Sequence, residues 1–193
     1  MAAENAGDFL VTFGQQAAEQ LKDAAISQEE REARFRSLLN EAVDLEAIAK
    51  FVLGRHWRRA SAEERADFFA AFEDVTLQRF LPLFTQSEDE YRGESFDVKE
   101  VRQSSSAEDQ VFVHTQVQRP DGPPALLVWR LRERDGAFKV LDVSIEGISM
   151  ALTLREEYGS VIRQKGGVGP LVELIRQKLD AGAYAPKTDQ SDQ

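Results

Sequence analysis

The chain has 193 residues, 34 acidic against 24 basic, for a net charge of −10. It is the size of one domain with a core that needs no staples, and its charge argues against nucleic acid and against adsorption to anionic lipid surfaces, both of which call for clustered Lys and Arg. With no cysteine, a disulfide framework, a thiolate metal site and a Cys nucleophile are excluded; no apolar run approaches the roughly 20 residues that span a bilayer.

The order of the patterns is helices, then strands, then helices, which favours α+β over alternating βαβ units. Leu10, Phe13, Ala17 and Leu21 recur at helical spacing. Ser27 with Glu30 reads as a capping box for a second helix carrying Phe35, Leu38 and Leu39. Asp44 caps a third, with Leu45, Ile48, Ala49 and Val52 on one stripe and Gly54 as its stop. Ser61 with Glu64 opens the helix richest in aromatics: Phe68, Phe69, Phe72, Val75, Leu77, Phe80 and, past Pro82, Phe84. That stripe is wider than one packing contact needs. It fits a helix buried on two sides, or one that lines a cavity.

Strands are expected from about residue 95. Val111, Val113, Thr115 and Val117 alternate with Phe112, His114 and Gln116. Residues 119–124 form a turn cluster, Leu127, Trp129 and Leu131 mark the next strand, and Asp135-Gly136 signals a hairpin into residues 138–145. About four strands in meander order imply a mostly antiparallel sheet. The strand that ends at Ile145 runs into Glu146-Gly147, read as a hinge, and apolar Ile148, Met150 and Leu152 follow where a surface turn is usually polar. Thr153 with Glu156 reads as a third capping box, with Leu154, Tyr158, Val161 and Ile162 on the helix behind it. Gly166-Gly167 breaks that helix, and Pro170 sits in the first turn of the last one. Residues 4–182 read as a single domain and 183–193 as a disordered tail.

Signals for an enzyme are thin. His56 and His114 stand in no zinc spacing, and neither a nucleophile elbow nor a phosphate loop occurs: 166–169 lacks the Lys-Ser/Thr such a loop needs. No cofactor and no metal is expected. An isomerase or hydratase reading requires Asp142, Glu146 or His114 to converge in a pocket. The apolar inventory is richer, with twelve Phe against two Met and two Trp. Opposite the Phe-rich helix the sheet offers either Val128 or Trp129, and either Leu141 or Val143, according to register.

Two blocks carry a family resemblance. The first is Ala47-Ile48-Ala49-Lys50-Phe51-Val52-Leu53-Gly54-Arg55-His56-Trp57-Arg58-Arg59-Ala60-Ser61, continued by Phe68-Phe69-Ala70-Ala71-Phe72. The second is Ile145-Glu146-Gly147-Ile148-Ser149-Met150, then Tyr158-Gly159, then Arg163-Gln164-Lys165-Gly166. In order and spacing they resemble the MlaC/toluene-tolerance family of soluble periplasmic phospholipid-binding proteins, and the match spans about residues 43–178. At His56-Trp57 the family often has two aromatics.

The resemblance implies helices wrapped on a curved sheet, cone-shaped in the manner of nuclear-transport-factor-like folds, with acyl chains in a deep pocket. It implies a carrier, not an enzyme: a protein that shuttles phospholipid between an outer-membrane lipoprotein–porin complex and an inner-membrane ABC transporter with its MCE-domain subunit, maintaining outer-membrane lipid asymmetry. A monomer without stable membrane insertion is expected, in the periplasm, its signal peptide removed ahead of Ala2; a hopanoid-associated relative is the other lipid-binding alternative. The pocket candidates are Ile48, Phe51, Val52, Phe69, Phe72, Val75, Phe80, Val128, Val143, Ile145, Ile148, Met150, Tyr158 and Ile162. Arg58, Arg59 and Lys165 are candidates for headgroup or partner contacts.

Overall fold

The computed structural model describes residues 2–23, 25–85, 96–117 and 123–185. Most of the turn expected at 119–124 and the last eight residues of the expected tail lie outside them. Five helices come first: α1 (Ala2–Leu21), α2 (Gln28–Ala42), α3 (Leu45–Leu53), the short α4 (Arg55–Arg59) and α5 (Ala62–Thr85). Strands β1 (Phe96–Gln103), β2 (Gln110–Val117), β3 (Ala125–Arg134), β4 (Ala137–Ile145) and β5 (Ile148–Ser149) follow, then α6 (Met150–Lys165) and α7 (Val168–Asp180). The strands form one antiparallel sheet in the order β1-β2-β3-β4-β5, so the fold is α+β.

The helix starts follow the capping chemistry. Ser27 Oγ accepts from the Glu30 N–H at 3.1 Å and Asp44 Oδ1 from the Ala47 N–H at 2.9 Å. Ser61 and Glu64 cap reciprocally: the Ser61 N–H donates to Glu64 Oε2 at 2.8 Å and the Glu64 N–H to Ser61 Oγ at 3.0 Å. The box read at Thr153 is a misreading. Helix α6 starts one turn earlier, where Ser149 Oγ accepts from the Leu152 N–H at 3.1 Å, and Thr153 already lies inside, donating its hydroxyl to Ser149 O at 2.9 Å. Ser149 wins because the β4–β5 hairpin delivers the chain there in an extended conformation, the one an N-cap requires.

The hinge read at Gly147 is a tight turn. Glu146 and Gly147 both have positive φ (49° and 81°), like Asp135 and Gly136 (53° and 77°) in the β3–β4 hairpin. Each pair closes an antiparallel hairpin. The hairpin adds β5 as a fifth strand.

Two hydrophobic clusters form. One lies among α1, α2, α3, α5, α6 and α7 around Leu21, Phe35, Leu53, Phe68, Leu171 and Ile175. The other lies between the front of α1 (Ala6, Leu10) and one face of the sheet (Val111, Val113, Leu131, Phe138, Val140). Helix α1 comes close to β1: a Cβ on Gly7 would stand 3.3 Å from Val98 Cγ1. At the far end, the Tyr184 N–H donates to Gln78 Oε1 at 3.0 Å and Gln78 Nε2 to Leu179 O at 2.9 Å, so the chain after α7 is tied to α5.

Candidate functional site

Between the two clusters lies an apolar cavity of about 170 Å³. Helix α5 supplies Phe72, Val75, Thr76, Arg79 and Phe80, a stripe at helical spacing. Phe13 closes it from α1, Phe35 and Leu39 from α2, and Leu45 and Ile48 from α3. The sheet contributes Trp129 from β3 and the run 140–143 from β4; Met150, Ala151 and Leu154 come from α6.

Four consecutive residues of one strand border the same cavity because β4 is bulged. Arg130 pairs with Asp142 but Leu131 pairs with Val140, so Leu141 is the extra residue and the alternation breaks there. The parallel bridge of Val43 to Val140 and the Asp44 N–H donated to Val140 O at 3.0 Å bring the start of α3 against this bulge. An ion pair between Asp44 and Arg132 fixes the same junction.

Of the residues expected to line a pocket, Ile48, Phe72, Val75, Phe80, Val143 and Met150 border this cavity. The others are elsewhere. Phe51 is held outside by two guanidiniums, Arg155 at 4.8 Å and Arg130 at 6.0 Å from its ring centre, and Arg155 Nη1 also donates to its carbonyl at 3.1 Å. Val52, Tyr158 and Ile162 are buried in the helical cluster, where Tyr158 meets the Phe68 ring edge-on, and Phe69 packs against that cluster. Val128 sits on the sheet face opposite Trp129, as neighbours on a strand must. Ile145 and Ile148 lie at the exposed β4–β5 hairpin, Ile148 with 63% of its surface in solvent and Leu152 beside it with 52%.

The basic candidates do not border the cavity either. Arg58 and Arg59 are exposed on α4, and Lys165 is exposed at the end of α6. The cluster at α4 is organised round Trp57, whose ring has Arg65 at 5.6 Å and Lys50 at 5.8 Å. His56 there has its pKa lowered, first by burial and then by Arg55, Arg59 and Arg163.

Polar groups at the cavity are almost all engaged. Thr76 Oγ1 donates to Phe72 O at 2.8 Å, and the Trp129 indole N–H donates to Thr115 Oγ1 at 3.0 Å. Asp142 accepts from the Ser149 hydroxyl with one oxygen and from the Ala151 N–H at 3.0 Å with the other, so it anchors the start of α6. Glu146 accepts from the Leu126 N–H at 3.0 Å at the sheet's margin, and His114 lies on the face opposite Val113 and Thr115. These three groups do not converge into an acid–base set. Among the described residues no cluster of His, Asp or Glu is arranged to hold a metal. A second cleft, of about 280 Å³ between α1 and α2, carries the carboxylates Asp8 and Glu41.

The MlaC protein family model matches residues 12–177. The chain belongs to the MlaC family. A curated MlaC-family relative, the intermembrane phospholipid transport system binding protein MlaC of Haemophilus influenzae, is 26% identical over 149 residues, 75% of this chain. The match spans 64% of that relative's length, just under two thirds. The fold matches a solved phospholipid-binding protein from Ralstonia solanacearum, in complex with a phospholipid, with a TM-score of 0.75 over 91% of this chain and 97% of that one at 19% identity.

Among the lining residues that sequence reasoning missed are Phe13 from α1, Phe35 and Leu39 from α2, Val43 just past α2 and Arg79 from α5. Their helical stripes were visible, but nothing local distinguishes a residue facing a core from one facing a void.

Proposed function

We propose that this MlaC-family chain is a periplasmic phospholipid carrier and not an enzyme. The observation that carries the reading is the apolar cavity between sheet and helices, in a protein whose family and fold relatives are named for phospholipid transport and binding. Its acyl-chain contacts are the walls formed by Ile48, Phe72, Val75, Phe80, Val143 and Met150. Following the family, its partners are an inner-membrane ABC transporter with an MCE-domain subunit and an outer-membrane lipoprotein–porin complex. The absence of any described helix long and apolar enough to cross a membrane is compatible with a carrier that moves between them.

The energetics suit a shuttle. Each buried methylene contributes about 0.8 kcal/mol, so a chain of about 14 methylenes gains roughly 11 kcal/mol relative to water. The lipid comes from a bilayer, however, where that gain already exists, so net transfer lies near zero and loading is reversible. At about 170 Å³ the cavity is smaller than the roughly 300–1,000 Å³ of typical small-molecule sites. Loading an acyl chain therefore requires the walls to spread. The cavity follows the seam between two hydrophobic clusters, so spreading separates them without dismantling either.

Native mass spectrometry of protein purified from cells tests the reading. Phospholipid adducts that exchange with vesicles are expected. Repeated recovery without lipid, together with no uptake from vesicles, would overturn it.

A further inference from the structure

Among the described residues the cavity has one cation on its wall, Arg79, and no carboxylate pairs with it. Among the described residues its guanidinium makes no hydrogen bond and no ion pair; it lies over the Tyr184 ring, 5.8 Å from the centroid. Elsewhere in this acidic chain arginines do find carboxylates, as Arg34, Arg36, Arg132 and Arg176 do. Arg79 borders the cavity and is half-buried, the setting in which a long side chain can lay its apolar stem on an apolar wall and keep its charge toward water. The ring beneath it is held in place, since the Tyr184 N–H is bonded to Gln78, the residue before Arg79 on α5. Asp142, the one acid on that wall among the described residues, is occupied on both oxygens.

A positioned guanidinium with free donors, at the edge of an apolar cavity, is suited to an anion attached to an apolar body. Its planar fork matches a phosphate oxygen pair. We propose that Arg79, held by the Tyr184 ring, binds the phosphodiester of the lipid whose acyl chain fills the cavity. The proposal rests on the phospholipid-carrier reading and deepens it. The phosphate is common to all glycerophospholipids, so Arg79 selects phosphate-bearing lipids over neutral ones without choosing a headgroup. An uncharged polycyclic lipid gains nothing from it.

The experiment compares wild type, Arg79→Gln and Arg79→Lys, each delipidated and checked for folding by circular dichroism and urea midpoint. Vesicles containing phosphatidylglycerol and phosphatidylethanolamine, doped with diacylglycerol of matched chains, serve as donors. Lipid captured per protein is counted by mass spectrometry. Arg79→Gln is expected to lower phospholipid capture about tenfold and leave diacylglycerol capture unchanged, which removes the preference for phosphate. Arg79→Lys restores part of it, since a point charge replaces a fork. Adding 10-fold excess inorganic phosphate over protein (roughly millimolar at most) is expected to leave capture by wild type unchanged, because a lone phosphate lacks the acyl contribution.

Equal loss of both lipids in a folded Arg79→Gln protein would overturn the proposal, making Arg79 a wall residue only. So would unchanged phospholipid capture, or competition by inorganic phosphate at that concentration, which would mark a free-phosphate site. Failure of wild type to capture any lipid would remove the carrier reading and this proposal with it. If Arg79→Gln does not fold, Arg79→Lys decides: phospholipid capture reduced with diacylglycerol capture intact supports the contact, and an unchanged ratio overturns it.

Discussion

Replacing Val75 by Phe separates a true void from a filled core. Val75 is 2% exposed and borders the cavity from α5; Val172, 3% exposed, is buried in the helical cluster and does not border it. Overpacking a filled core costs about 1–3 kcal/mol, because neighbours must leave their rotamers. That is the expected result for Val172→Phe. At Val75 the added ring can enter about 170 Å³ of empty space. Four extra carbons at about 0.8 kcal/mol each contribute roughly 3 kcal/mol gross. Lost side-chain freedom and imperfect fit reduce this to about 1 kcal/mol of net stabilisation for the lipid-free protein. The same ring then occupies space an acyl chain would need, so lipid capture falls. Urea denaturation of delipidated protein gives the stabilities, with an unchanged m-value required for the comparison. Mass spectrometry after vesicle exposure gives the lipid content. If Val75→Phe destabilises as much as Val172→Phe and still captures lipid like wild type, the void is not the acyl site.

Other outcomes follow from individual positions. Ile48→Asp places a carboxylate on the cavity wall and is expected to lower lipid content severalfold, whereas Ile148→Asp, on a side chain 63% exposed, leaves it unchanged; lipid counted per folded protein distinguishes them. Gly54 has φ 53° and its missing Cβ would stand 3.0 Å from the Arg155 guanidinium, so Gly54→Ala is expected to cost about 1–3 kcal/mol in urea denaturation, and a neutral result would show that the α3–α4 junction relaxes freely. Burial raises the Tyr158 pKa above the ordinary tyrosine value near 10, with the neighbouring Tyr184 adding to the effect. The folded chain therefore keeps this proton when the unfolded chain loses it, and stability falls as pH rises above about 10. Tyr158→Phe is expected to flatten that alkaline fall, as read from thermal midpoints across the range; an unaltered slope would assign the fall to other groups.

Residue order alone is enough to place the helix starts at Ser27, Asp44 and Ser61, the stops at Gly54 and Gly166, and the Asp135-Gly136 hairpin, because caps and tight turns are chemistry confined to a few adjacent residues. It also carried the α+β order and, through the two motif blocks, the family. It failed locally at Thr153, where a valid capping pattern lost to a Ser149 already positioned by a hairpin. Which apolar residues face the cavity was decided only in the tertiary structure. Phe51 and Phe72 read alike in sequence, yet arginines from β3 and α6 claim the first and the void meets the second. The bulge opposite Arg130–Leu131 brings 140–143 together on the wall, and a period-two reading of β4 has no place for it. Arg79 shows the same limit from the polar side: an arginine on an amphipathic helix is unremarkable until the fold leaves it on an apolar wall with no carboxylate paired to it among the described residues. A void is a property of the gaps between elements, and those are set by long-range packing that no local spacing encodes.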